Sequence, residues 1–181
     1  QKDACIQRGC HKSAKDHSSF LREELAEFVE SGGYDNPEYW SHLEFVHEGN
    51  TLSWSEAVER FRDTTGRLGP ATWEGGTYPD GDGQLPVAGI SWFEAMAYAE
   101  FAGGSLPTIY HWDRVALTWA SSELVPFSNL AGTAVQPTGG TRARNRYGAY
   151  DLGGNVREWC INPDNRSGRF ILGGGWNDPP Y

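Results

Sequence analysis

The first strong pattern along the chain lies in 20–30, where Phe20, Leu21, Leu25, Phe28 and Val29 recur at helical spacing among Arg and Glu residues. It predicts a short amphipathic helix closed at Ser31-Gly32-Gly33, where glycine can take the left-handed conformation that ends a helix. Ser53 with Glu56 forms a capping-box pair, so a second helix is predicted from Trp54 toward Phe61. Ser91 with Glu94 repeats the device and predicts a helix over 92–102, with Phe93, Met96, Ala97 and Phe101 as its buried stripe and Gly103-Gly104 as its stop. After Leu106-Pro107-Thr108 a further helix of about ten residues is predicted, starting near Thr108 or Ile109 and carrying Trp112, Val115, Ala116 and Trp119. From Ser121 to Arg146 there is no period of a strand or a helix, only Gly, Pro, Ser, Thr and Asn punctuation, which reads as loop. Arg169-Phe170-Ile171-Leu172 reads as a strand running into the bend Gly173-Gly174-Gly175-Trp176. Asp80-Gly81-Asp82-Gly83 is a surface turn, since no glutamate follows where a twelve-residue calcium loop needs its bidentate ligand.

Composition changes this picture in one respect: eight Trp, eight Tyr, eight Phe and 23 Gly against a single Met describe an aromatic, loop-rich domain rather than a helical bundle. A length of 181 residues is enough for one domain with a core that needs no crosslinks. Residues 1–19 are left unassigned and 20–181 are taken as the domain. The net charge of −9 disfavours nucleic acid and anionic lipid as partners. Arg142, Arg144 and Arg146 are a local exception, either a solvated loop or one face of an extended segment that could meet an anion. No apolar run reaches the roughly 20 residues that span a bilayer, and the first residues do not resemble a cleavable signal. Cys5, Cys10, His11 and His17 lack a second ligand pair at zinc-finger spacing, and the three cysteines are too few for a disulfide framework. His42 and His47 read as surface residues, and no Gly-x-Ser-x-Gly nucleophile elbow occurs. Asn165-Arg166-Ser167 matches a glycosylation acceptor and reads as a chance match.

The segment Tyr150-Asp151-Leu152-Gly153-Gly154-Asn155-Val156-Arg157-Glu158-Trp159 concentrates two carboxylates, an amide and two glycines. Hard cations take oxygen ligands, and glycines let backbone carbonyls turn inward, so calcium would suit such a turn. Turn stabilisation by Asp151 and Asn155, with Glu158 in solvent, is the competing reading of the same residues.

Four motifs in order then carry a resemblance: Pro86-Val87 with Ile90-Ser91-Trp92-Phe93-Glu94-Ala95, Gly103-Gly104-Ser105-Leu106-Pro107-Thr108 with Trp112, Tyr150-Asp151-Leu152 through Trp159, and Leu172-Gly173-Gly174-Gly175-Trp176. The chain closely resembles the formylglycine-generating enzyme (sulfatase-modifying factor) family from about Phe20 to Asp178, and looks most like its bacterial kinase-associated members. The resemblance implies an α+β, C-type-lectin-like fold, a few helices around a small antiparallel sheet with abundant ordered loops. It also implies calcium held by Asp151 and Glu158 through side chains and by Gly154 and Val156 through carbonyls. A second family calcium site would start at Asn129-Leu130, but its later acidic ligand is missing.

Catalysis in the family uses copper held by two cysteines shortly after the glycine-rich bend, and copper(I) is soft and wants thiolates. Here about Asp178 stands at the first of those positions and the second would lie beyond Tyr181, so the family's C-terminal end is expected to be lacking. Cys160 reads as a packed small hydrophobe. The expectation is a non-catalytic, calcium-stabilised ligand-binding or sensing module, without a transition metal, in an extracytoplasmic or secreted protein linked to a kinase or hydrolase. Its ligand groove would be lined by Trp176, Asn177, Asp178, Trp112 and Arg144, aromatic and polar groups that suit a peptide or carbohydrate. Two alternatives stand beside it: a metal-dependent oxidoreductase of the formylglycine-generating or ergothioneine-synthase type within a longer protein, and a lectin-like binding protein diversified near its C-terminus.

Overall fold

The structure, a computed structural model, describes 4–5 as backbone and 20–116, 124–166 and 168–180 in full. In chain order the elements are β1 (Ala4–Cys5), α1 (Arg22–Glu30), a 3-10 turn (Pro37–Trp40), β2 (Phe45–His47), β3 (Asn50–Leu52), α2 (Trp54–Val58), α3 (Trp92–Phe101), α4 (Ile109–Ala116), a second 3-10 turn (Val125–Phe127), β4 (Arg157–Pro163) and β5 (Arg169–Leu172). The architecture is α+β, with few helices and two small sheets. β4 is the centre of one, antiparallel to β5 and parallel to the short β1, while β2 and β3 form a separate antiparallel hairpin.

The helices begin where their caps say they should. Ser53 and Glu56, and again Ser91 and Glu94, bond reciprocally at the starts of α2 and α3. α2 is shorter than expected, because Arg60 and Phe61 bond back only three residues and turn the chain inward, stacking Phe61 on Trp40 at 5.6 Å. The expected stripe on α3 also needs correction. Glu94, Ala95, Met96, Ala97, Tyr98 and Ala99 are all buried, whereas Phe93 and Phe101 are half-buried. Alanines at alternate positions let neighbours approach from all sides, so this helix is the axis of the core rather than one of its walls.

That core is aromatic. Phe20, Phe28, Tyr34, Trp40 and Tyr98 pack edge-to-face or tilted, and Trp40 satisfies its indole N–H on the Gly33 carbonyl at 2.9 Å. Gly33 is obligatory here, because a Cβ at that position would lie 2.2 Å from the Phe28 ring. A second, smaller cluster of Ala116, Ala149 and Leu152 packs against Trp112 and Val115, and it seats the Tyr150–Trp159 segment on α4.

Two elements differ from expectation. β4 replaces the second half of the expected turn, and β2–β3 were not anticipated. Trp119, Cys10, His11, His17, the Cys5 side chain and Ser167 of the Asn165-Arg166-Ser167 sequence lie outside the described residues. Among the described residues no helix is long and apolar enough to cross a membrane.

Candidate functional site

The turn ahead of β4 is built on unusual backbone. Asp151, Gly154 and Asn155 all have positive φ, at 57°, 81° and 62°. Only at Gly154 does the close approach demand glycine, since a Cβ there would sit 2.5 Å from the Asn129 carbonyl oxygen. Asp151 is 2% exposed and Glu158 is fully buried. The Asp151 carboxylate accepts from the Gly139 amide at 2.7 Å and the Thr141 hydroxyl at 2.6 Å, so it fixes the preceding loop. Glu158 accepts from the indole N–H of Trp112, which ties β4 to α4.

Asn155 does a different job from the one its oxygen suggested. Its side-chain oxygen accepts from the Asn129 side-chain amide at 3.1 Å and the Gln136 amide at 2.9 Å, and its nitrogen donates to the Gln136 carbonyl at 3.0 Å. Its own N–H donates to the Asn129 carbonyl and its carbonyl accepts from the Trp176 N–H, each at 2.8 Å. Asn155 therefore stitches the 129–136 loop to the glycine-rich bend, and Asn129 belongs to that stitch. Among the described residues no group of three or more His, Cys, Asp and Glu side chains gathers, so any ion at this turn would rest on two carboxylates and backbone carbonyls.

After the bend, Asp178 makes an ion pair with Arg157 of β4 and accepts from the Gly175 amide at 2.7 Å. The Trp176 and Asp178 carbonyls accept from Gly132 and Ala131, both at 2.7 Å. Of the five expected groove residues, Trp112, Trp176 and Asp178 are half-buried and Asn177 is exposed. Trp112 and the bend meet near Gly173, where an added Cβ would lie 3.6 Å from the Trp112 ring. Arg144 is exposed and rests over the Tyr150 ring, 5.5 Å from its centroid. The 142–146 segment alternates strictly, with Arg142, Arg144 and Arg146 exposed and Ala143 and Asn145 buried, so the three arginines share one face.

Cys160, next to Glu158 on β4, is wholly buried, and burial together with the neighbouring Glu158 charge pushes its thiol up to about 12. It is a protonated, inert thiol at neutral pH. Arg157 could not be foreseen as the Asp178 partner, because an ion pair 21 positions apart leaves no local pattern. A cleft of about 870 Å³, lined by residues from His42 to Arg169, was equally invisible and holds none of the expected site residues.

The profile of the sulfatase-modifying factor enzyme 1-like domain matches residues 19–123. The chain belongs to that family. It is 30% identical over 166 residues to a hercynine oxygenase of Mycolicibacterium smegmatis, covering 77% of this chain and 35% of that protein. It is 30% identical over 180 residues to a formylglycine-generating enzyme of Thermomonospora curvata, covering 81% of this chain and 58% of that enzyme. A serine/threonine-protein kinase pkn1 of Chlamydia pneumoniae is 29% identical over 157 residues, 80% of this chain but 22% of the kinase. The chain thus spans between about a fifth and three fifths of the length of these relatives.

Proposed function

We propose that this domain is a ligand-recognition module on a C-type-lectin-like scaffold, stabilised by calcium at the 151–158 turn and without a copper-thiolate centre. The observation that carries the reading is the state of Asp178. It stands where the family resemblance places a copper thiolate, and it is a hard carboxylate already engaged by Arg157 and the Gly175 amide. Cys160 offers no substitute, being buried and protonated.

Calcium fits the residues present. Asp151 is buried against two neutral donors, an amide and a hydroxyl, and each carboxylate oxygen keeps a further lone pair. A cation there would offset the cost of burying that charge. Asp151 and Glu158 would hold it together with the Gly154 and Val156 carbonyls. The ion would supply rigidity to the start of β4 and to the bend that Asn155 stitches to it. Trp176, Asn177, Asp178 and Trp112 then present indole faces and polar groups suited to a peptide or carbohydrate, with Arg144 at the margin. Similarity to part of a pkn1 kinase supports a place within a larger, kinase-linked protein.

The test is thermal unfolding with calcium and with chelator. A ligand at 100 times its dissociation constant adds about 2.7 kcal/mol, which in a chain of this size raises the midpoint by about 5–10 °C. Chelator should remove that gain in the native chain, and Glu158→Gln should show none. An equal midpoint with calcium and with chelator would contradict the calcium part of the reading.

A further inference from the structure

The 870 Å³ cleft lies between the β2 strand, the turn after α2 and the start of α3, with Arg169 of β5 at one side. Its size falls within the range of small-molecule sites. Its walls combine two chemistries. Phe61, Trp92, Phe93 and Val46 give flat and branched apolar surface, and Val46 is 55% exposed although apolar. Arg60, Arg62 and Arg169 are all among its lining residues, in a chain whose net charge is −9, although the Arg62 guanidinium is taken up by Glu59 and the Gly66 carbonyl.

The acidic lining residues do not cancel them. Glu94 is buried, with one oxygen accepting from Tyr34 and the other from the Ser91 amide, each at 2.7 Å, so it offers no open carboxylate. Arg62 is answered by Glu59, while Arg60 lies within electrostatic reach of Glu56 and Arg169 of Asp164, neither of which lines the cleft; within the lining itself Arg60, Arg169 and His42 stand with Glu44. Arg169 is preorganised. Its guanidinium lies over the Trp92 ring, 3.9 Å from the centroid, and donates to the Ile161 carbonyl at 3.3 Å. The Trp92 indole is itself fixed by a 3.1 Å bond to the Cys160 carbonyl, so ring and cation form one rigid wall. A guanidinium stacked on an aromatic keeps in-plane donors for a carboxylate or phosphate.

We infer that this cleft is a binding site for a small amphipathic anion, a flat apolar body carrying one carboxylate or phosphate, with Trp92 and Phe61 taking the body and Arg169 and Arg60 the charge. The site is separate from the Asp151–Glu158 turn and from the bend, so its failure would leave the proposed calcium-stabilised module intact, and the reverse also holds.

The experiment uses 2-naphthoate as probe, with 2-naphthol and 2-naphthylmethylammonium as neutral and cationic analogues of the same ring. Binding is read from the Trp92 and Trp159 indole N–H resonances, assigned through Trp-to-Phe variants. The expected result is saturable movement of the Trp92 signal with 2-naphthoate, at least fivefold weaker binding of the other two, and loss of about tenfold in affinity in Arg169→Met. Arg60→Ala, an exposed change that leaves the core untouched, is expected to weaken 2-naphthoate about three- to fivefold. Equal binding of all three probes, binding unchanged in Arg60→Ala, or no Trp92 movement at millimolar 2-naphthoate would each overturn the inference.

Discussion

Gly154→Ala tests whether the turn before β4 is held by close backbone approach or by glycine's flexibility alone. At φ of 81°, alanine carries the strain of the left-handed region, about 1–2 kcal/mol. Its Cβ would stand 2.5 Å from the Asn129 carbonyl oxygen, so that carbonyl must move away. The same oxygen accepts the Asn155 N–H at 2.8 Å, and losing this bond in a buried site adds about 1–3 kcal/mol. The sum is about 2–5 kcal/mol, or a fall of roughly 4–20 °C in unfolding midpoint for a chain of this size. Gly103→Ala is the control. Gly103 has φ of 68° after α3, and a methyl group there would meet nothing within 4 Å, so only the conformational term applies, about 1–2 kcal/mol. Thermal unfolding of the two variants side by side, followed by far-ultraviolet circular dichroism, separates the terms. Midpoints within about 2 °C of one another would refute the close-approach argument.

Asn155→Ala should remove three side-chain bonds at once, those to Asn129 and to the Gln136 amide and carbonyl, and destabilise by about 3 kcal/mol or more, measured by urea unfolding. Glu94 is raised to about 7 by burial, its bonds to Ser91 and Tyr34 opposing the shift only in part. The folded state therefore holds this proton more tightly than the unfolded chain, so Glu94 contributes stability that is fully present below about pH 4.5 and lost as pH rises through about 7. The contribution is on the order of 3 kcal/mol, and Glu94→Gln should flatten the stability profile across that window. A chain with Cys5 and Cys10 replaced by serine should leave Cys160 unreacted with Ellman's reagent at pH 8 until denaturant is added, since the thiol is buried and pushed up to about 12.

Much of the helical framework was legible because capping is local. Ser53 with Glu56 and Ser91 with Glu94 announce α2 and α3 within four residues. Burial was less legible, since six consecutive residues of α3, Glu94 to Ala99, are buried and an amphipathic stripe presumes one open face along the helix. β4 escaped for the same reason: Glu158, Trp159 and Cys160 are all buried, so the strand shows no alternation. The β2–β3 hairpin turns on Glu48-Gly49, both with positive φ, and glutamate at the first position of such a turn is a weak signal. In the site, Asp151 and Glu158 stood out as carboxylates in a glycine-rich turn, and both are buried there. Their partners were not legible. Thr141, Trp112 and the Arg157–Asp178 pair are joined only by tertiary folding, as are the arginines of the cleft.

The metal content of the purified, full-length protein, measured by plasma mass spectrometry after dialysis against metal-free buffer, bears most directly on whether this family member recognises rather than oxidises. A recognition domain of the kind proposed carries about one calcium per chain, with copper and iron at trace level. Copper or iron approaching one equivalent, retained against dialysis, would contradict it.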